Sequence, residues 1–320
     1  MLRWAALLGL LGLAGATALI VYSGWGEVVQ ALAVAGWGIV FVALFHLLSI
    51  ATSSAGWRVL VAGKSKPSWG AFFYFMWVRA AINNLMPVAR IGGEVAAVKL
   101  MTARGMKREV AIGATVAELT LSIAAIFLFV VIGVAMLALR VNGSDAVRQF
   151  AWGVGLTLPV IVALAAVQKI GFFGLMLRLF RLMFRDKWAH LAGDAVRLDD
   201  AVGAMYRHHA RAFGCFALQF AAWSLGAVEI WISLRFLGHP LPFNEAVMIE
   251  AVVQGSASAA FAIPAALGVQ EAGFLFFGEM LGLPPGIAAA LAVMRRCRDL
   301  LCYAPALILW QAQVGKKLLR

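Results

Sequence analysis

Apolar and polar residues follow one another along this chain in long blocks, not at short period. Apolar runs cover about 4–22, 37–60, 109–139, 149–168, 211–237 and 286–313, and each is near the ~20 residues that a helix needs to cross a bilayer. Six membrane-spanning helices are expected from them. Two further stretches, 69–103 and 246–281, are apolar but broken by Pro87 and Pro264. Each consists of an apolar half, a break, and a second half too short to cross alone.

The two broken stretches are copies of one pattern. Pro87, Glu94 and Gly105 fall on Pro264, Glu271 and Gly282 at a constant offset of 177 residues, which also carries Ala111 onto Ala288, Val116 onto Val293 and the acid Glu118 onto the base Arg295. Paired, interrupted hydrophobic segments at corresponding places in two halves point to the central site of a transporter. The flanks of the first stretch are basic, with Lys64 and Lys66 before it and Arg104, Lys107 and Arg108 after it. Both therefore belong on the cytoplasmic side. The flanks of the second, LGHPLPF and GLPPG, carry no Lys or Arg and belong outside. The expected fold is an all-α polytopic membrane protein forming a single integral membrane domain over residues 1–320. It has about six transmembrane helices and two re-entrant helical hairpins entering from opposite faces. Its halves, at about 37–139 and 211–313, form an inverted repeat. Irregular backbone at membrane depth is tolerated only beside protein or a water-filled cavity, so the hairpin tips should meet around a polar cavity near the midplane.

Composition narrows the class without changing the architecture. With 63% hydrophobic and 13% charged residues, and a mean hydropathy of +0.90, the chain is not an ordinary soluble domain. The net charge of +12 sits in linkers between apolar runs, which reads as topology, and no nucleic-acid partner is expected. The connection 169–210 holds Arg178, Arg181, Arg185, Lys187, Arg197 and Arg207, and the tail ends in Lys316, Lys317 and Arg320. These place both termini in the cytoplasm. Within the connection, GFFGLMLRLFRLMFRDK spaces Arg by three and four residues against Phe, Leu and Met. It reads as an amphipathic helix on an anionic lipid surface, or as a cytoplasmic elbow packed under the bundle. The run after Arg3 has signal-peptide features but is long enough to span, so an uncleaved first helix is expected. Asn142, Gly143 and Ser144 match a glycosylation acceptor and read as a turn. Cys215, Cys297 and Cys302 lack ligand spacing, and adjacent His208 and His209 point in different directions on a helix, so no metal or cofactor is expected. Phosphate-loop, zinc-hydrolase and serine-elbow motifs do not occur.

Ionisable groups at membrane depth are costly and mark functional sites. The candidates for substrate binding are Arg79, Asn83, Asn84, Arg90 and Glu94 around the first break, Glu118 in a spanning run, Gln270 and Glu271 beyond the second break, and Arg295, Arg298 and Asp299 in the run MRRCRDL. The breaks themselves fall at Pro87, Gly92 and Gly93, and at Pro264 and Gly268. On a helix Arg295, Arg298 and Asp299 share a face from which Arg296 is turned away. Three arginines beside one acid should leave an unpaired guanidinium to bind a phosphate or carboxylate in bidentate fashion. The competing reading is an ion-pair lattice joining Arg295 to Asp299 or Glu118. Glu94 and Glu271 are placed to cap a helix start, to pair with arginine, or to accept a coupling proton. His46 reads as an interhelical hydrogen-bonding residue.

At PVARIGGEVAAVKL (87–100), PAALGVQEAGF (264–274) and MRRCRD (294–299) the chain resembles the lysylphosphatidylglycerol synthetase transmembrane family, a flippase-like family. The pattern extends over nearly the whole chain, and Gly268, Val269, Gln270 and Glu271 are similar to the branch associated with hopanoid biosynthesis. The resemblance implies a bacterial inner-membrane lipid translocator with a central cavity. Family members that make aminoacylated lipid carry a large soluble transferase domain, and this chain ends at Arg320 just after its last span, so it is expected not to be an enzyme. The expected function is movement of a lipid or lipid-linked substrate between leaflets, hopanoid-related or with an anionic headgroup. The alternatives are an integral-membrane lipid-modifying enzyme and a proton-coupled transporter of a soluble organic anion.

Overall fold

The computed structural model describes residues 25–62, 66–86, 92–140, 192–260 and 266–318, with Trp152, Gly155 and Ile263 besides. The runs 4–22 and 149–168, the Arg- and Phe-rich stretch 171–187, Asn142, Pro87, Arg90 and Pro264 lie outside the described residues. The described residues form ten helices and no strand. In order they are α1 Trp25–Ala35, α2 Gly38–Leu60, α3 Trp69–Leu85, α4 Gly92–Ala103 and α5 Arg108–Arg140, then α6 Ala192–Arg207, α7 His209–Phe236, α8 Phe243–Ala259, α9 Val269–Met280 and α10 Pro285–Leu318. The protein is an all-α polytopic membrane protein. Among the described helices, α2, α5 and α7 are long and apolar enough to cross a membrane. The expected span at 286–313 lies within the 34-residue α10, which carries four charges over 295–299 and is not one of these three.

The described helices fall into two sets of five, in which the last three of each set match in length. Both α3 and α8 have 17 residues, α4 and α9 have 12 each, and α5 and α10 have 33 and 34. At about 1.5 Å per residue, 17 and 12 residues reach only ~25 and ~18 Å, short of a ~30 Å hydrocarbon core. The short helices end alike. Gly105 and Gly282 adopt φ of 86° and 83°, and the amide N–H groups of Met106 and Leu283 bond back to the carbonyls of Met101 and Gly278 at 3.2 and 2.9 Å. Glycine is the residue that takes this left-handed C-terminal position without steric cost.

Packing repeats with the lengths. The contacts α2 with α3, α3 with α4, α4 with α5, α5 with α8, α5 with α7 and α5 with α6 recur as α7 with α8, α8 with α9, α9 with α10, α10 with α3, α10 with α2 and α10 with α1. At the centre α2 and α7 run antiparallel: Gly38 lies against Phe236, His46 bonds Glu229, and Ser53 bonds Gln219. Exchanging the two sets therefore reverses helix direction. Close approach depends on small residues, as expected where lipid is as apolar as the core. Gly133 abuts Ala251, a Cβ on Gly113 would lie 3.0 Å from Ala201, and one on Gly278 would lie 3.2 Å from Ala288. Of the basic connection 169–210, the structure describes the end from residue 192, and the two readings of GFFGLMLRLFRLMFRDK fall outside it. In that described end α6 lies on α5, with Val202 and Met205 buried.

Candidate functional site

A cavity of about 460 Å³ opens where the two sets meet, lined from α2, α3, α4 and α5 on one side and α7, α8, α9 and α10 on the other. Nine of the eleven candidate substrate-binding residues line it: Arg79, Asn83, Asn84, Glu94, Glu118, Gln270, Arg295, Arg298 and Asp299. Arg90 lies outside the described residues. Glu271 is placed elsewhere, being 2% exposed and absent from the wall. It sits in the first turn of α9 and turns back to accept the Gly268 amide N–H at 2.8 Å, while its other oxygen takes Arg296 Nε at 2.6 Å. Gly268 holds φ of 82°, the left-handed conformation that lets the chain enter α9 so sharply.

On the first side, the approach of α4 to α3 sets the geometry. A Cβ at Gly93 would collide with the Arg79 carbonyl oxygen and lie 2.5 Å from Asn83 Oδ1. The bare backbone instead lets the Gly93 N–H donate to Asn83 Oδ1 at 3.0 Å, which satisfies one orphan donor at the start of α4. That closure presents Glu94 to Arg79, whose Nε donates to Glu94 Oε1 at 2.8 Å and whose Nη1 donates to Glu118 Oε2. Asn83 Nδ2 reaches Glu94 Oε1 at 3.3 Å, and Asn84 Nδ2 bonds its own helix at the Ala80 carbonyl. The other Glu118 oxygen accepts Gln219 Nε2 at 2.7 Å, and Ser53 Oγ donates to Gln219 Oε1 at 2.7 Å. Glu94 Oε2 is buried with no hydrogen-bond partner.

The second side mirrors the first with its charges exchanged. Arg295 of α10 holds Glu250 of α8 through Nη1 to Oε2 at 2.5 Å and Nη2 to Oε1 at 3.0 Å, and Gln254 Nε2 adds a bond to Glu250 at 2.8 Å. Where the first half joins an arginine on α3 to a glutamate on α5, the second joins a glutamate on α8 to an arginine on α10. Gly226 of α7 makes room for this pair, since a Cβ there would lie 2.6 Å from Glu250 Oε1. Arg298 reaches Glu229 at 2.8 Å, Asp299 at 2.9 Å and His46 Nδ1 at 2.5 Å. His46 Nε2 lies 2.8 Å from Tyr303 Oη, so His46 joins α2 to α7 and α10.

The expectation of an unpaired guanidinium in the last helix is therefore corrected. Local sequence offers Arg295, Arg296 and Arg298 only Asp299, but helix packing brings Glu250, Glu271 and Glu229 to them. Burial makes such pairing necessary, because a charge removed from water without a partner costs several kcal/mol. The Arg295 partner is Glu250, not Asp299 or Glu118. Glu229 and Glu250 are visible in the sequence as acids inside apolar runs, although their pairing is not. Gln219, Gln254 and Tyr303 carry no sequence signal of their own.

Fold and site together define an integral membrane protein built round a buried, charge-lined cavity between two matched helical sets. Residues 8–306 match the family described as Lysylphosphatidylglycerol synthase TM region, and the chain belongs to that family. No match is found among curated proteins or among solved structures.

Proposed function

We propose that the protein moves a lipid or lipid-linked molecule between the leaflets of the bacterial inner membrane, the headgroup crossing through this cavity while the tails stay in the bilayer. The observation that carries the reading is the cavity wall itself, with charged side chains from both helical sets turned inward at the core of an otherwise apolar bundle. The antiparallel relation of α2 and α7 supports an inverted repeat. The short paired helices α3 with α4 and α8 with α9 support two re-entrant hairpins entering from opposite faces. Membership of a family described by a lipid synthase's membrane region supports a lipid as the substrate.

Charge selects the headgroup. Among the described residues the wall holds Arg79, Arg295 and Arg298 against Glu94, Glu118, Glu250 and Asp299, and each arginine is engaged by carboxylates. Each arginine has a carboxylate partner, although Arg298 Nε is unbonded, and the four acids outnumber the three arginines with Glu94 Oε2 free, so the cavity suits an uncharged polar or ammonium-bearing headgroup over an anionic one. A hopanoid-related lipid with a hydroxylated or amine-bearing head falls in that class. Purified protein in liposomes separates this function from its rivals. Transfer of a labelled amine-bearing lipid between leaflets, with the lipid recovered unchanged, is expected. Recovery of a modified lipid, or uptake of a soluble organic anion without lipid transfer, would replace this reading with an enzyme or a solute transporter.

A further inference from the structure

Inside the cavity each described arginine meets a carboxylate, but at one end of the bundle that rule fails. Arg58 lies in the last turn of α2, Lys66 in the segment that follows, and Arg211 in the first turn of α7, the antiparallel neighbour of α2. All three are partly buried. Arg58 Nε donates to the Pro67 carbonyl at 3.2 Å, Lys66 Nζ lies 3.5 Å from the Val61 carbonyl, and Arg211 Nη1 is buried with no hydrogen-bond partner. Among the described residues no carboxylate pairs with any of them. Burial, and then the charges of Arg58 and Arg211, hold the Lys66 ammonium below the usual lysine range.

Three like charges drawn together and partly dehydrated repel one another unless a counter-charge joins them. The side of the membrane explains why basic residues gather at this end, but not why three converge without an acid. The start of α7 adds to the field. It is the positive end of a 28-residue helix, and its N-cap residue His208 makes no side-chain cap bond. We propose that Arg58, Lys66 and Arg211 form a phosphate-binding site at the end of the bundle where α2 finishes and α7 begins. Because both helices are long enough to span, their ends lie at the depth of lipid headgroups. The phosphate of an anionic lipid and free inorganic phosphate share the chemistry that these donors recognise: guanidinium forks, an ammonium and helix-start N–H groups.

The test uses the full chain in an uncharged detergent, with melting followed during titration of short-chain phosphatidylglycerol and, separately, of inorganic phosphate at matched ionic strength. Wild type is compared with Arg211→Gln and with Arg58→Gln/Lys66→Gln. Saturable stabilisation of wild type, with apparent affinity at least ~10-fold weaker in both variants, is the expected result. Response to phosphatidylglycerol alone assigns the site to lipid, and response to both ligands assigns it to phosphate from either source. Without ligand, both variants should melt no lower than wild type, because each substitution removes repulsion. The proposal is overturned if neither ligand stabilises wild type, or if the variants respond as wild type does. A fall of several degrees in the unliganded variants also overturns it, since the three charges would then be serving the fold.

Discussion

Replacing Arg295 with glutamine strands the Glu250 carboxylate, whose side chain is 1% exposed. The two guanidinium bonds at 2.5 and 3.0 Å disappear, and of the bonds described above only that from Gln254 Nε2 remains. Breaking one side of a buried ion pair costs about 3 to 5 kcal/mol. At roughly 2 °C per kcal/mol for a chain of this size, melting should fall by about 6 to 10 °C. The double variant Glu250→Gln/Arg295→Gln strands no charge and leaves two amides able to bond each other, so most of that loss should return, with a coupling energy of ~2 to 3 kcal/mol. Thermal melting and lipid transfer are measured on the same preparations of wild type, both single variants and the double. If Arg295→Gln melts with wild type and loses only lipid transfer, Arg295 acts as a free fork on substrate and the paired geometry is wrong.

The two glutamates of the sequence repeat should behave differently. Glu94→Gln loses a charge facing Arg79 but leaves that arginine on Glu118, so it should reduce lipid transfer with the smaller fall in melting, while Glu271→Gln, which loses the charge facing Arg296 at a more buried position, should lower melting first; equal effects on transfer at equal stability would contradict the placement of Glu271 outside the cavity. Gly93→Ala forces a Cβ against α3 and should cost about 1 to 3 kcal/mol, read as a lower melting temperature; an unchanged one would mean that α3 and α4 do not close as described. Cysteine-accessibility labelling should find positions 66 and 104–108 on the cytoplasmic side and 239–242 and 283–286 on the other. If the two ends of either pair label from opposite sides, that hairpin crosses the membrane.

What could be read from the sequence divides by the range of the interaction that decides it. Local chemistry was legible. The repeat marked Gly105 and Gly282, which the structure shows ending α4 and α9, the breaks expected at Gly93 and Gly268 fall at the entries into α4 and α9, and the face shared by Arg295, Arg298 and Asp299 follows from helical period and is the face that meets the cavity. Pairing across the bundle was not legible. Arg295 stands 45 residues from Glu250, and Arg298 stands 69 from Glu229, so no local count of charge could show that the arginines are occupied. The matching of α1 with α6 was hidden for another reason. Neither helix carries the proline break that marks α3 with α4 and α8 with α9, and their likeness lies in packing, α1 on α10 and α6 on α5.

If lipid headgroups cross through the cavity between the two sets, blocking that cavity must stop lipid transfer. With Cys215, Cys297 and Cys302 replaced by alanine, a single cysteine is placed at Asn84 or at Gln270, which line the wall from opposite sets. Neither side chain belongs to an ion pair described above. A bulky thiol reagent applied to the reconstituted protein should stop lipid transfer at either position, and the same reagent on a cysteine at lipid-facing Leu44, which is 62% exposed, should leave it unchanged. Full transfer after complete modification at both cavity positions would contradict passage through the cavity.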